Sequence, residues 1–491
     1  MKTNGFSDNN LLKTKEHPFE KWLSDPRTIS AIRFLTKKKI GKETLFEKIM
    51  YSYENPNANI GDRIKFKLIH DIFDYFIEKK DINKEFIKFK LFHHKPTLRA
   101  LVNAALSVEK YGLLTPQKFV MPLMVVWNFT QACNLKCKHC YQNATPKPLP
   151  DEMTLEQKLR VIDEMGDEYV PFVAFAGGEP LMGRNFWEVL KRCKERGIHT
   201  TVASNGTIIT KETAAKLVEY GVKYLEISID SSIPEKHDEF RGIKGAWKRA
   251  MEGIKNAADT PGLRVGMATC ISRLNYDEVE DIIKLAIDSG CSTFVHFNYI
   301  PVGRGVESKI TDIGPEEREE LLKLLNKYLQ SGKISIMSTA PQLARACYMY
   351  SEVEGMMAVG HAGSASGKKT RILAKYIGGC GAARCYCAIE PNGDVTPCVY
   401  IPHRKLGNLK EKTLKEIWQN NIYFDILSNR ENYEDNCKVC DYRSICGGCR
   451  ARADAYTGNI KAGDPGCIYN KKLWERVRYK AEEKEEKVKI S

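Results

Sequence analysis

The clearest signal in the chain is a change of hydrophobic period near residue 121. Beyond it, short apolar runs recur: LMVVWNFT (123–130), PFVAFA (171–176), IHTTVAS (198–204), VKYLEISID (222–230), LRVGMATCI (263–271) and STFVHFNYI (292–300). Between them lie stretches with helical spacing, including TLEQKLRVIDEM (154–165), RNFWEVLKRCKER (184–196), KETAAKLVEY (211–220) and NYDEVEDIIKLAIDSG (275–290). Six strand–helix units in a row predict an α/β fold, its parallel sheet curved into a full or partial TIM-like barrel. In such sheets chemistry collects in the loops at the C-terminal ends of the strands. The distinctive residues fall there.

Residues 1–120 read differently. KFKLIHDIFDYFIEKK (65–80) and TLRALVNAALSVEKYGLL (97–114) have helical spacing in a segment rich in Lys, Phe and Ile. A helical extension ending near Pro116 follows. It suits packing or dimerisation, or a substrate-binding or membrane-surface role. After the core at 121–335, residues 336–376 read as a connecting segment, with GHAGSASGKKT (360–370) a mobile surface loop. That loop fails as a phosphate-binding motif, because Ala362 replaces the first glycine and Lys369 follows Lys368 where Ser or Thr is needed. A cysteine-rich domain spans 377–470, and the charged tail 471–491 reads as a solvated helix that frays.

Composition narrows the class. With 491 residues, 43% hydrophobic and 28% charged, the chain has room for two or three domains. Its longest apolar stretch, VMPLMVVWNF (120–129), is far short of the ~20 residues that cross a bilayer. MKTNGFSDNN lacks the apolar core of a signal peptide, so a cytosolic protein is expected. Sixteen cysteines in such a chain point to metal rather than disulfides. Three sit at 133–140 and nine between 380 and 467. The formal charge of +14 suggests an anionic partner. Thiolate ligands would bring negative charge that this count omits, so the charge argues little for a nucleic-acid partner, and none is expected.

CNLKCKHCY (133–141) places Cys133, Cys137 and Cys140 directly after the first strand, with spacing C-x3-C-x2-C. A structural zinc site and a fully protein-bound cubane each take four protein ligands. Three thiolates leave one iron open, and open sites bind substrates. His139, the obvious fourth candidate, would have to fold back beside Cys140. Over 121–335 the sequence resembles the radical S-adenosylmethionine (SAM) superfamily. There this spacing binds a [4Fe–4S] cluster whose open iron is chelated by the amino and carboxylate groups of SAM. The resemblance implies reductive cleavage of SAM to methionine and a 5′-deoxyadenosyl radical, which abstracts hydrogen from a substrate. It implies further that Gly177, Gly178 and Glu179 of GGEP (177–180) hold the methionine amino group. Ser204, Asn205 and Ser228, at later strand ends, would contact the ribose and carboxylate, with turn chemistry the plainer alternative. Arg241 would pair with the SAM carboxylate or form a surface salt bridge. NYIPVGRG (298–305) would line the adenine and substrate side.

Farther on, GCGAARCYCAIEPNGDVTPC (379–398), CKVCDYRSICGGC (437–449) and Cys467 are similar to the SPASM extension, which binds two auxiliary [4Fe–4S] clusters. The resemblance assigns Cys437, Cys440, Cys446 and Cys467 to one cluster and Cys380, Cys398 and Cys449 to the other. Cys387 is taken as the fourth ligand of the latter, with Cys385 its rival. Two residues rather than the usual three separate Cys446 from Cys449, which leaves the pairing open. Saturated auxiliary clusters suit electron relay, and the resemblance implies an electron donor such as a ferredoxin or flavodoxin. YCAIEPNGDVTPC and CGGCRARA look most like enzymes that remodel tetrapyrrole side chains in haem and haem d1 formation. Peptide or protein modification and carbon–carbon coupling of archaeal lipids are the alternatives. From another class, a zinc-binding, nucleic-acid-associated protein would explain the C-x2-C pairs but not C-x3-C-x2-C beside GGEP. Cys193, Cys270, Cys291 and Cys347 read as small buried hydrophobes.

Overall fold

A computed structural model describes residues 21, 24–37, 39–40, 43–79, 84–306, 312–351, 357–358, 364–365 and 376–478. Its centre is a ten-stranded sheet. The six expected strands are β1 (Met124–Asn128), β2 (Phe172–Ala176), β3 (His199–Ser204), β4 (Val222–Ser228), β5 (Arg264–Ile271) and β6 (Thr293–Asn298), all parallel and neighbours in chain order. A seventh, β7 (Ser335–Ser338), continues them beside β6. On the other edge the cysteine-rich region contributes β8 (Tyr386–Ile389), which pairs parallel with β1, followed by antiparallel β9 (Asp394–Thr396) and β10 (Gly407–Asn408). The sequence reading carried no strand beyond β6. These four are short, two to four residues, too brief for a period to register.

The N-terminal extension holds α1 (Pro26–Lys37), α2 (Leu45–Ser52), α3 (Ile60–Lys65), α4 (Lys67–Lys79) and α5 (Lys95–Tyr111). Helices then alternate with the strands: α6 (Leu155–Asp167), α7 (Phe186–Glu195), α8 (Lys211–Glu219), α9 (Pro234–Arg241), α10 (Ala246–Ala258), α11 (Val279–Asp288), α12 (Pro315–Ser331) and α13 (Gln342–Tyr350). Thr154 and Gln157 close α6 with a capping box, and Thr210 caps α8, each satisfying N–H groups a helix start leaves unpaired.

Alternation along the strands separates two faces. Val125, Trp127, Val173, Phe175, Val202, Leu225, Ile227, Val265, Met267 and Phe294 point to the helices and form the main core. On the opposite, concave face Asn128 stands in register with Ala176, and Ala203 with Glu226 and Gly266.

Two joints tie the flanking regions to this core. From α5, Arg99 donates to the carbonyls of Met165 and Gly166 (3.1 and 2.7 Å), and Asn103 to those of Met121 and Tyr169. From α14 (Leu414–Gln419), Trp418 Nε1 donates to the Phe119 carbonyl, and the first backbone N–H groups meet the Glu164 carboxylate. The connecting segment is regular as far as Tyr350, while 360–370 lies outside the described residues except for 364–365, and the tail is helical through 478 and outside them beyond.

Candidate active site and cluster sites

The loop carrying Cys133, Cys137 and Cys140 leaves the C-terminal end of β1 and is fastened on every side. Cys133 N–H donates to the Thr145 carbonyl, Lys136 N–H to Arg241 and Lys138 N–H to Phe240. Arg304 clamps the loop from NYIPVGRG: its Nε donates to the Cys137 carbonyl at 2.9 Å and its Nη1 to Ala144 at 2.6 Å. Burial pushes the Cys133 thiol up to about 12 and raises Cys137 as well, with the neighbouring thiols adding to the effect. Such thiols ionise on binding metal rather than alone. Each sulfur already faces donors: Leu135 N–H (3.4 Å) and Asn205 Nδ2 (3.9 Å) at Cys133, Arg241 Nη1 (3.8 Å) at Cys137, and Ala144 N–H (3.5 Å) at Cys140. Donors to sulfur are what a thiolate-bound cluster requires of its surroundings.

The GGE turn ends β2 against this loop. Gly177 has φ +116°, and a Cβ there would lie 2.9 Å from Phe129 N and the Thr130 carbonyl oxygen; one on Gly178 would lie 2.2 Å from the Ala132 oxygen. The glycines let the turn press on the chain's own cluster loop, where Gly178 and Glu179 N–H donate to Thr130 and Ala132 (both 2.8 Å). Glu179 is wholly buried: Ser204 Oγ donates to one carboxylate oxygen (2.9 Å) and Asn205 N–H to the other (2.8 Å). Burial raises its carboxyl to about 7. Glu179, Ser204 and Asn205 thus form one cluster against Cys133, while Ser228 stands half-buried on the concave face at the end of β4.

Arg241 is not on the surface. Its Nε meets Asp230 Oδ2 at 2.6 Å in a buried pair, and His139 stacks on Phe240 with ring centroids 4.1 Å apart. Burial holds the imidazole far below its usual range, hence neutral. Two groups absent from the sequence reading join this mouth. Glu390, just past β8, accepts from Asn128 (3.1 Å) and Gln142 (2.8 Å), and Tyr141 donates to Asn128 (2.9 Å). The Glu390 contact was unreadable, because β8 reaches β1 from more than 250 positions away.

In the second cysteine region burial raises Cys398 to about 12, and its neighbours Cys380 and Cys449 press the same way; Cys380 also raises Cys385. Cys437 acts on Cys440, Cys446 and Cys467. Cys387 stands apart: it faces the helix-side core in register with Val125, and burial alone shifts it. Three arginines here are buried with no carboxylate partner among the described residues. Arg384 donates to the carbonyls of Gly378 and Cys380, Arg430 to those of Gly378 and Ser444, and Arg450 to those of Ile460 and Ala462. Unpaired buried cations are costly, and the thiols around them are the available counter-charge. The donor set fits thiolate-bound clusters. Among the described residues no three Cys, His, Asp or Glu side chains are placed to share one metal ion; a cubane spreads its ligands over four irons.

Fold and site together define an iron–sulfur enzyme built on a partial barrel. The radical SAM superfamily matches at 127–286, and SPASM, an iron–sulfur cluster-binding domain, at 380–441. The chain is 32% identical to the AdoMet-dependent heme synthase of Methanosarcina barkeri, over 71% of this chain and 97% of that one. It is 28% identical to the pre-heme d1 synthase of Dinoroseobacter shibae, over 70% and 85%. Streptococcus suis SuiB bound to S-adenosylmethionine shares the fold, with TM-score 0.61 at 19% identity over 86% and 92%. The chain belongs to the radical SAM superfamily and is an enzyme of its SPASM type, with [4Fe–4S] clusters and SAM as cofactors. Among the described residues no helix is long and apolar enough to cross a membrane.

Proposed function

We propose that this enzyme cleaves SAM reductively and abstracts a hydrogen atom from a tetrapyrrole side chain. The observation that carries the reading is the similarity to AdoMet-dependent heme synthase, which extends over 351 residues and 97% of that protein. Two further relatives, a Fe-coproporphyrin III synthase and a pre-heme d1 synthase, are 28% identical over 71% and 70% of the chain. When bound, the clusters and SAM supply an electron to the sulfonium, a hydrogen-abstracting carbon radical and a path for electrons.

The chain's own residues bind and position. Cys133, Cys137 and Cys140 hold three corners of the SAM-binding cluster, and Gly177, Gly178, Glu179, Ser204, Asn205 and Ser228 shape the cofactor seat. Arg241, neutralised by Asp230, braces Cys137; this supports a positioning role over direct pairing with the SAM carboxylate. Cys437, Cys440, Cys446 and Cys467 hold one auxiliary cluster. Cys380, Cys398, Cys449 and Cys385 hold the other, and the place of Cys385 beside Cys380 favours it over Cys387. Glu390 and Asn128 fix the auxiliary domain against the barrel mouth. A ferredoxin or flavodoxin would deliver the electron.

The test is anaerobic incubation of reduced enzyme with SAM and iron coproporphyrin deuterated on its propionates. Deuterium in 5′-deoxyadenosine supports the assignment. Deuterium transfer from a peptide or lipid pool instead, with none from the porphyrin, removes the tetrapyrrole reading. A peptide substrate is the second reading, since SuiB, which has the same fold, is also seen bound to its precursor peptide SuiA.

A further inference from the structure

The three most exposed large hydrophobic side chains among the described residues are Leu68 (75%), Ile60 and Ile64 (71% each). They are spaced four residues apart along α3 and the start of α4, and exposed Ile72 extends the line. At 100° per residue these four positions fall on one side of the helical axis. The opposite side is already satisfied: Phe66 is buried against Leu45 and Ile49 of α2, with Ile69 and Phe73 packed beside it. The outward stripe is therefore apolar surface that the fold of the extension does not use.

Charge distinguishes what could cover it. Arg63, Lys65 and Lys67, all exposed, interleave with Ile60, Ile64 and Leu68, and none pairs with a carboxylate among the described residues. Of the four acids on these helices, Asp62 is half-buried and held by Lys48 at 3.5 Å and Asp74 is held by Lys84 at 2.6 Å, while exposed Asp71 and Glu78 lie farther along α4, beyond the basic end at 63–67. Residues 1–120 carry 23 Lys and Arg against 14 Asp and Glu, a net +9 of the chain's +14. A second copy would bring the same positive field and be repelled. Single-stranded nucleic acid is gripped by stacking on aromatic rings, whereas this stripe leads with aliphatic tips.

We infer that α3 and α4 dock the enzyme on an anionic lipid bilayer. Ile60, Ile64 and Leu68 enter the boundary between headgroups and acyl chains while Arg63, Lys65 and Lys67 meet the phosphates, so the helices lie on the surface rather than span it. The inference is independent of which substrate occupies the barrel.

The experiment is anaerobic co-sedimentation of the full-length, cluster-loaded enzyme with phosphatidylcholine vesicles, with and without phosphatidylglycerol. Binding is expected to the anionic vesicles and to weaken with salt. The triple substitution Arg63→Gln, Lys65→Gln, Lys67→Gln should lower partitioning about a hundredfold, near fivefold per cation. Ile64→Asp with Leu68→Asp should abolish it while iron content and SAM cleavage stay unchanged. Failure of the unmodified enzyme to bind anionic vesicles would overturn the inference, as would equal binding by the Ile64→Asp, Leu68→Asp variant. Self-association or RNA binding lost in that variant, without vesicle binding, would assign the face to another occupant and overturn it equally.

Discussion

Arg241 shows how one side chain can join two requirements. Buried among the elements at the mouth of the barrel, its guanidinium meets Asp230 on one side and Cys137 on the other. Breaking a buried pair leaves the surviving charge unpaired, so Asp230→Asn or Arg241→Gln should each cost about 3–5 kcal/mol in denaturant unfolding. Arg241→Gln should also move the reduction potential of the SAM-binding cluster to more negative values, since a neighbouring positive charge favours the reduced form; EPR-monitored titration checks this. Glu179 serves the same loop through hydrogen bonds. Glu179→Gln replaces an acceptor with a donor facing Ser204 Oγ or Asn205 N–H, and should destabilise by about 1–3 kcal/mol.

At the scale of elements, the close approach of the β2 turn to the β1 loop decides whether three cysteines can converge. Gly178→Ala puts a methyl 2.2 Å from the Ala132 oxygen, so the loop must shift. The expected outcome is loss of about four irons per chain together with SAM cleavage, while the auxiliary iron remains. The start of β8 bears on a second question. Cys387 lies within the strand and packs into the helix-side core, whereas Cys385 precedes the strand in the turn that begins at Gly381, beside Cys380. Iron analysis should therefore find Cys385→Ser depleted in auxiliary iron and Cys387→Ser unchanged; the reverse result would restore Cys387 as a ligand.

Across the whole molecule, buried charge and buried imidazole set the conditions for stability. Burial lowers His199 to about 4 and His237 to about 3, and holds His296 well below the usual range. Neighbouring cations reinforce this: His94, Arg264 and Lys223 at His199, Arg241 at His237, and Arg318 and Arg452 at His296, with Asp230 opposing at His237. Below the unfolded value near 6.5 the unfolded chain binds protons that the native state refuses, so stability falls as pH drops from 7 towards 4. Melting temperature should decline over that range, less steeply in His237→Asn. Removing iron should also lower it, because Arg384, Arg430 and Arg450 then lack counter-charge.

The strand–helix alternation, the six core strands and the grouping of cysteines were legible in the chain because each rests on local period or spacing. What lies between distant segments was not. That Arg241 pairs with Asp230, that the glycines of GGEP press on the cluster loop, and that β8 joins the core sheet all depend on contacts the fold creates. The contrast between Cys385 and Cys387 belongs to the same class: two positions apart, they are told apart because Cys385 sits in the turn before β8, its N–H on the Gly381 carbonyl, while Cys387 lies within the strand against the helix-side core. Sequence by itself determined which chemistry the protein carries, since ligand type and spacing are written along the chain. Tertiary structure alone decided which charges meet, because burial and distance are properties of packing.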